Sequence, residues 1–293
     1  MNLFKISLKI ESPLVTSLKS DTIWGHFVWG IANHEGDKAV EEFLDECKTE
    51  NPPLVVSSAF PQGTICRPMP AVTEHKKLSI EDYSQIKKDK KIKFVSAGDY
   101  FENISGNKIA NSVYVEASST HNSINRYTNT VEDGGVFSVK ETWVASECSV
   151  FDLYILTKYD AARVNELTQW AFENGYGADS STGKGVIKVC SDAEIVKPSK
   201  QSNKYVALGT FISDDEIENL KADIFVRTGK IGGSFVSSLS PYKKTVVLFD
   251  EGAVFESKKT VQFVGKLITD VHSDKRICQS GFAPVIPIPE NGE

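Results

Sequence analysis

The sequence predicts an α+β protein. A first domain over residues 1–198 has the element order β-α-β-β-α-β, and a second, strand-rich domain covers 199–293. Three observations carry this expectation. Period-two alternation and 3.6-residue periodicity interleave strands with helices along the first domain. A weakly patterned stretch of Pro-Pro, Gly, Ser and Asn over about 51–135 interrupts that order as one long insertion of hairpins and loops. Lys197-Pro198-Ser199-Lys200 then reads as a linker into a region of strand candidates.

In order along the chain, Phe4, Ile6, Leu8 and Ile10 alternate with Lys5, Ser7, Lys9 and Glu11, as in a half-buried strand. Ser20-Asp21 offers N-cap oxygens to a helix over about 22–33, whose Ile23, Trp24, Phe27, Val28 and Ile31 predict burial. Val40, Phe43, Leu44 and Cys47 repeat at helical spacing, with Glu41, Glu42, Asp45 and Glu46 on the opposite, solvated face. Strands are expected at 136–144 and 149–157, a helix at 159–173 with Val164, Leu167 and Ala171 aligned, and a strand at 186–191. Beyond the linker come strands at 205–212, 223–228 and 244–250, and the capping box Ser213-x-x-Glu216 before a short helix holding Ile217 and Leu220.

Composition narrows the chemistry. The 293 residues carry 33 Lys+Arg against 39 Asp+Glu, a formal net charge of −6, so a polyanion would have to be held by local geometry and not by overall charge. Five cysteines form no Cys-x-x-Cys pair and five histidines show no i,i+4 spacing, which gives no reason to expect a metal centre or a disulfide framework. No stretch reaches the roughly 20 apolar residues of a membrane span, and Met1-Asn2-Leu3-Phe4-Lys5 alternates like a strand and not like a signal peptide. A cytoplasmic protein without membrane contact is the expectation.

The segment Gly175-Tyr176-Gly177-Ala178-Asp179-Ser180-Ser181-Thr182-Gly183-Lys184-Gly185 is the most informative. A Walker A loop needs Gly where Ala178 stands and Ser or Thr where Gly185 stands, and a dinucleotide fingerprint needs Gly where Ser180 stands. Two readings remain: an anion nest of outward backbone N–H groups, or a flexible helix-to-strand turn. His121-Asn122-Ser123-Ile124-Asn125-Arg126 gathers groups suited to base edges and phosphates, and equally composes an Asn/Ser-rich turn. Four of the five arginines, Arg67, Arg126, Arg227 and Arg276 but not Arg163, lie outside predicted helices, as specific anchors would. His26 could serve as a general base for RNA cleavage or as a packed, hydrogen-bonded histidine. The run Lys87-Lys88-Asp89-Lys90-Lys91-Ile92-Lys93 could steer RNA or simply be a solvated loop.

Several segments in order carry a resemblance: Ser20-Asp21-Thr22-Ile23-Trp24-Gly25-His26, Pro52 through Pro61, Arg67-Pro68, His121 through Arg126, the glycine-rich loop, Phe249 through Phe255, and Gly281 through Ile288. Together they resemble subunit four of the Csm effector complex, a RAMP-superfamily family of type III-A CRISPR interference. The resemblance implies two ferredoxin-like (RRM-like, split βαβ) domains and a non-catalytic subunit without cofactor or metal that grips the 5′ tag of the guide RNA. It also implies contact with the large signature subunit and a backbone RAMP subunit, with target RNA in the assembled complex. The RNA-binding residues it implies are Gly175, Gly177, Ser180, Ser181, Thr182, Gly183, Lys184 and Gly185 of the loop, Arg67, and His121, Asn122, Ser123, Asn125 and Arg126. The alternative is a metal-independent, guide-processing endoribonuclease of the same superfamily using His26. Two departures from the family pattern stand out: Asp179 follows Ala178 where a basic residue is common, and Ala253 replaces a Ser after Glu251-Gly252.

Overall fold

The computed structural model describes residues 1–70, 91–104, 113–199, 201–213, 217–232 and 240–289; Lys87, Lys88, Asp89 and Lys90 of the lysine run, Lys200 of the expected linker and Glu216 of the expected capping box lie outside them. The first half supplies β1 (Asn2–Ile10), α1 (Ser20–Glu35), α2 (Asp37–Cys47), β2 (Leu54–Pro61), β3 (Thr64–Cys66), β4 (Phe94–Ser96), β5 (Tyr114–Asn125), β6 (Thr130–Val144), β7 (Val150–Thr157), α3 (Ala161–Phe172), β8 (Ile187–Val189) and β9 (Glu194–Ile195). The second supplies β10 (Lys204–Ala207), β11 (Glu218–Lys221), β12 (Ile224–Arg227), β13 (Val246–Phe249), β14 (Val254–Glu256), β15 (Phe263–Ile268) and β16 (Gln279–Pro287). The fold is α+β.

The alternating start becomes the middle of an antiparallel sheet in the order β2-β7-β1-β8, with β9 on the β8 side of β1. The crossovers β1-α1-β2 and β7-α3-β8 each return one strand over. Both helices cover the same sheet, and they approach closely where α1 has Gly30: a Cβ there would lie 2.8 Å from the Cβ of Trp170 on α3. Ile23, Trp24, Phe27 and Ile31 of α1 are buried, as are Val164, Leu167 and Ala171 of α3, as their spacing predicts. On α2 only Phe43 and Cys47 are buried, leaving the acidic face in solvent.

The second half holds a five-stranded sheet, β11-β14-β10-β16-β15, and a separate two-stranded pair, β12-β13; the period-two rule divides the side chains of the larger sheet between two cores. Val206, Phe282 and Ile286 face the large core shared with the first half; Tyr205, Ala207, Ala283 and Val285 face a smaller one with Phe211 and Phe255. The buried strand β16 therefore seals the two halves against each other. Ala253 sits in the smaller core at 1% exposure, where the hydroxyl of a Ser would be buried.

Four expectations are corrected. The interruption does not begin at residue 51, because Leu54–Pro61 is the fully buried strand β2. Its polar Ser57-Ser58 are tolerated because Ser57 Oγ accepts from Tyr154 N and donates to Ser58 O, while Ser58 Oγ donates to Glu251 Oε2. Conversely 136–144 is no strand of this sheet; it is the return arm of a separate two-stranded hairpin, β5-β6. Ser20 and Asp21 do not cap α1: Lys19 is the N-cap residue and caps through its backbone, whereas Ser20 Oγ accepts from Thr210 N and Asp21 binds Arg227 and Gln279. Leu220 is in strand β11 and not in a short helix, since Glu218–Lys221 pairs with β14.

Candidate nucleic-acid interface

Between α3 and β8 the chain must reverse in a tight space, and its glycines supply the needed conformations. Gly175, Gly177, Gly183 and Gly185 all have positive φ, as does Asp179 at 60°. Gly185 is the most constrained: a Cβ would sit 2.0 Å from the carbonyl oxygen of the buried Tyr176. At Gly183 a Cβ would meet nothing within 4 Å.

Most of the loop's N–H groups are committed internally. Gly175 N donates to Phe172 O, Tyr176 N to Gly185 O, Ala178 N to Thr16 Oγ1 and Gly185 N to Pro13 O. Thr182 N and Lys184 N both donate to Asp179 O, and Gly183 N to Ser180 O. Among the described residues the amides of Asp179, Ser180 and Ser181, at the open end of a 3-10 turn over Ser180–Thr182, have no acceptor. These three consecutive donors, in an exposed stretch, are what the loop offers to an anion.

His26 lies under this loop. Its Nε2 accepts the N–H of Gly177 at 3.1 Å, and its ring lies 4.9 Å from that of Tyr176. Burial draws its pKa down to about 4, against a backbone hydrogen bond to Ala171 that favours the charged form. A neutral imidazole whose Nε2 lone pair is already engaged holds the loop in place.

The hairpin β5-β6 rises beside the loop. Opposite residues share a face, so Val115 with Trp143, Ala117 with Glu141, Ser119 with Val139, and His121 with Phe137 form one side. Val115, Phe137 and Trp143 on that side are exposed, and His121 stacks on Phe137 with centroids 5.7 Å apart. The other side carries mostly polar residues, Glu116 with Thr142, Ser118 with Lys140, Thr120 with Ser138, and Asn122 with the exposed Val136. Asn125 Oδ1 accepts from Tyr127 N and Thr128 N, closing the tip, where Arg126 is exposed and Tyr127 is 99% exposed. His121, Asn122, Ser123 and Asn125 thus lie on a strand arm and not in a turn; the turn starts at Arg126.

Loop and hairpin meet at one ion pair, Lys184 Nζ with Glu141 Oε2. Ser119 Oγ also donates to that carboxylate, and Trp143 Nε1 donates to its other oxygen at 3.2 Å. The hydrogen bond from Lys184 holds the Glu141 carboxyl below its ordinary range. Arg67 stands elsewhere: its N donates to Lys93 O, and a Cβ on Gly252 would lie 2.6 Å from its carbonyl oxygen.

Sequence reasoning missed a charged seam between the halves. Arg227 makes a forked contact to the buried Asp21, Nε to Oδ2 at 2.7 Å and Nη2 to Oδ1 at 2.9 Å, and Gln279 Nε2 adds a third bond. Lys19 bridges Asp250 at 2.5 Å and Glu251 at 2.6 Å, with its ammonium 4.9 Å from the Phe225 ring centroid. Burial raises the Glu251 carboxyl, against the pull of Lys19. Arg227 is therefore an anchor within the chain. Among the described residues no helix is long and apolar enough to cross a membrane, and no group of three His, Cys, Asp or Glu is placed to hold a metal ion.

The fold recurs in solved structures. A chain of a Csm1-Csm4 cassette in complex with AMPPNP aligns at 14% identity with TM-score 0.58, covering 99% of this chain and 100% of that one. A chain of a Csm3-Csm4 subcomplex in the type III-A CRISPR-Cas interference complex aligns at 14% identity and TM-score 0.56, with the same coverage. A Csm1-Csm4 cassette in complex with cA4 gives 15% identity and TM-score 0.56. No protein-family model and no curated protein matches the chain in sequence.

Proposed function

We propose that this chain is the RNA-gripping subunit of a type III-A CRISPR effector, the counterpart of subunit four, built from two ferredoxin-like domains over 1–198 and 199–293. It holds the 5′ tag of the guide RNA and joins the large signature subunit to the backbone RAMP subunits, without catalysing cleavage itself. The observation that carries this reading is the end-to-end fold likeness to chains of Csm1-Csm4 and Csm3-Csm4 assemblies. The sheet order β2-β7-β1-β8 with its two crossovers supports the split βαβ part of this reading.

The surface chemistry supports the RNA part. A chain of net charge −6 needs short-range recognition, which the hairpin offers through Tyr127 and Arg126 at its tip and Phe137 and Trp143 along one side, and the loop through the amides of Asp179–Ser181. Distant acidic residues are screened beyond about 8 Å at physiological salt. The engagement of His26 Nε2 by the Gly177 amide argues for a packing role over that of a general base. The test is incubation of labelled repeat RNA with the chain and with the assembly reconstituted from its large and backbone subunits. Retention of intact RNA that depends on the chain is expected; cleavage by the chain, lost on His26→Ala, would favour the endoribonuclease, and assembly and retention without it would reject the proposal.

A further inference from the structure

Lys184 is a cation of the glycine-rich loop whose side chain turns away from the loop's open amides to the hairpin carboxylate of Glu141. It is flanked by Gly183 at φ 86° and Gly185 at φ 65°, and its amide is tied to Asp179 O. This backbone sends the side chain sideways into the hairpin, where Glu141 is only 7% exposed and has both oxygens engaged by Lys184, Ser119 and Trp143. The hairpin root is also joined to the body nearby: Leu14 and Thr142 exchange backbone hydrogen bonds at 2.9 Å and 2.7 Å, and Tyr114 packs on Phe94 and Phe151. Beyond Glu141 the arm runs eleven residues to Thr130, roughly 35 Å at about 3.3 Å per residue. A tilt of about 10° at the root would displace that end by roughly 6 Å on such a lever.

We infer that Glu141 is a positioning residue: with Lys184 it latches the hairpin to the glycine-rich loop, so that the aromatic face of the hairpin and the open amides at Asp179–Ser181 reach the same RNA strand. The inference rests on the RNA-gripping reading. It also assigns Lys184 to the latch, in place of a direct phosphate contact.

Reversing the pair separates these roles. In the full chain without RNA, Glu141→Gln and Lys184→Met should each lower hydrogen-exchange protection of the Leu14 and Thr142 amides by about tenfold, the scale of one hydrogen bond to a charged group. The double exchange Glu141→Lys with Lys184→Glu should restore it, because the pair re-forms with its charges swapped. Thermal unfolding monitors whether each variant folds. In the reconstituted assembly, retention of labelled guide RNA should fall by about tenfold in each single variant and recover in the swap, although position 184 is then acidic. Unchanged protection in both single variants would overturn the latch. So would tighter RNA retention by Glu141→Gln with no recovery in the swap, since Lys184 would then be a phosphate ligand masked by the acid. Protection that is lost and restored with RNA retention constant throughout would overturn the positioning role of the latch, whereas guide retention by an assembly lacking this chain would overturn the RNA-gripping reading itself.

Discussion

Adding one methyl group at either of two glycines two residues apart should have very different consequences. At Gly183, φ is 86° but the space is open, so Gly183→Ala costs about 1 kcal/mol, the strain of holding Ala in a left-handed conformation. At Gly185 the same strain applies, and the new Cβ would lie 2.0 Å from Tyr176 O and 2.9 Å from Tyr176 C. These are backbone atoms of a fully buried residue and cannot step aside as a flexible side chain would. Relief requires opening the loop, which sacrifices the 2.8 Å bond from Tyr176 N to Gly185 O and the 2.9 Å bond from Gly185 N to Pro13 O. At about 1 kcal/mol for each bond, Gly185→Ala should cost about 3 kcal/mol in total. Urea unfolding of the two variants and the parent, followed by tryptophan fluorescence, reads the difference as a shift in midpoint at constant slope. Equal midpoints for the two variants, or a more stable Gly185→Ala, would refute the claim that the loop closes on Tyr176.

Three further outcomes are expected. Arg227→Met should destabilise the chain by about 3–5 kcal/mol, because it leaves the fully buried Asp21 carboxylate without its cation, and most of that loss should return when Asp21→Asn is added; equilibrium unfolding of the single and double variants checks this. Because His26 binds its proton less readily folded, at about 4, than unfolded, near 6.5, its share of stability is full above pH 6.5, falls as pH drops, and levels off below 4. That share is at most ~3 kcal/mol. His26→Gln should flatten this part of the pH profile, and an unchanged profile in unfolding titrations would remove His26 as its source. Arg126→Ala should weaken guide retention in the assembly by about 1–3 kcal/mol and Arg126→Lys should recover only part of it, as measured by filter binding; equal behaviour of Lys and Arg would show that charge alone matters there.

Periodicity made much of the first sheet and its helices legible, because Phe4, Ile6 and Leu8, and Val164 and Leu167, meet the core that their spacing anticipates. It misled where polarity and burial part company. Ser57 and Ser58 read as loop punctuation, yet their hydroxyls are satisfied by Tyr154 N and by Glu251, 97 and 193 residues away. Val136 through Val144 reads as a core strand because an apolar alternation looks the same whether its face meets a core or stays open, as Phe137 and Trp143 do here. Asp21 has the composition of a cap, but its partner Arg227 is 206 residues on, beyond any local rule. In the candidate site, the glycines and Lys184 could be picked out by composition, whereas Glu141, 43 residues earlier, carried no local signal. The aromatic side of the hairpin could have been suspected from Trp143 and Phe137 lying an even number of residues apart on one strand.

The most direct measurement of the central claim is photo-crosslinking of guide RNA carrying 4-thiouridine in its 5′ tag, within the reconstituted assembly, followed by mass spectrometry of this chain. The account predicts crosslinks to both the hairpin around Tyr127–Phe137 and the loop around Asp179–Ser181. A tag that crosslinks to neither, while the assembly still retains its guide, would contradict it.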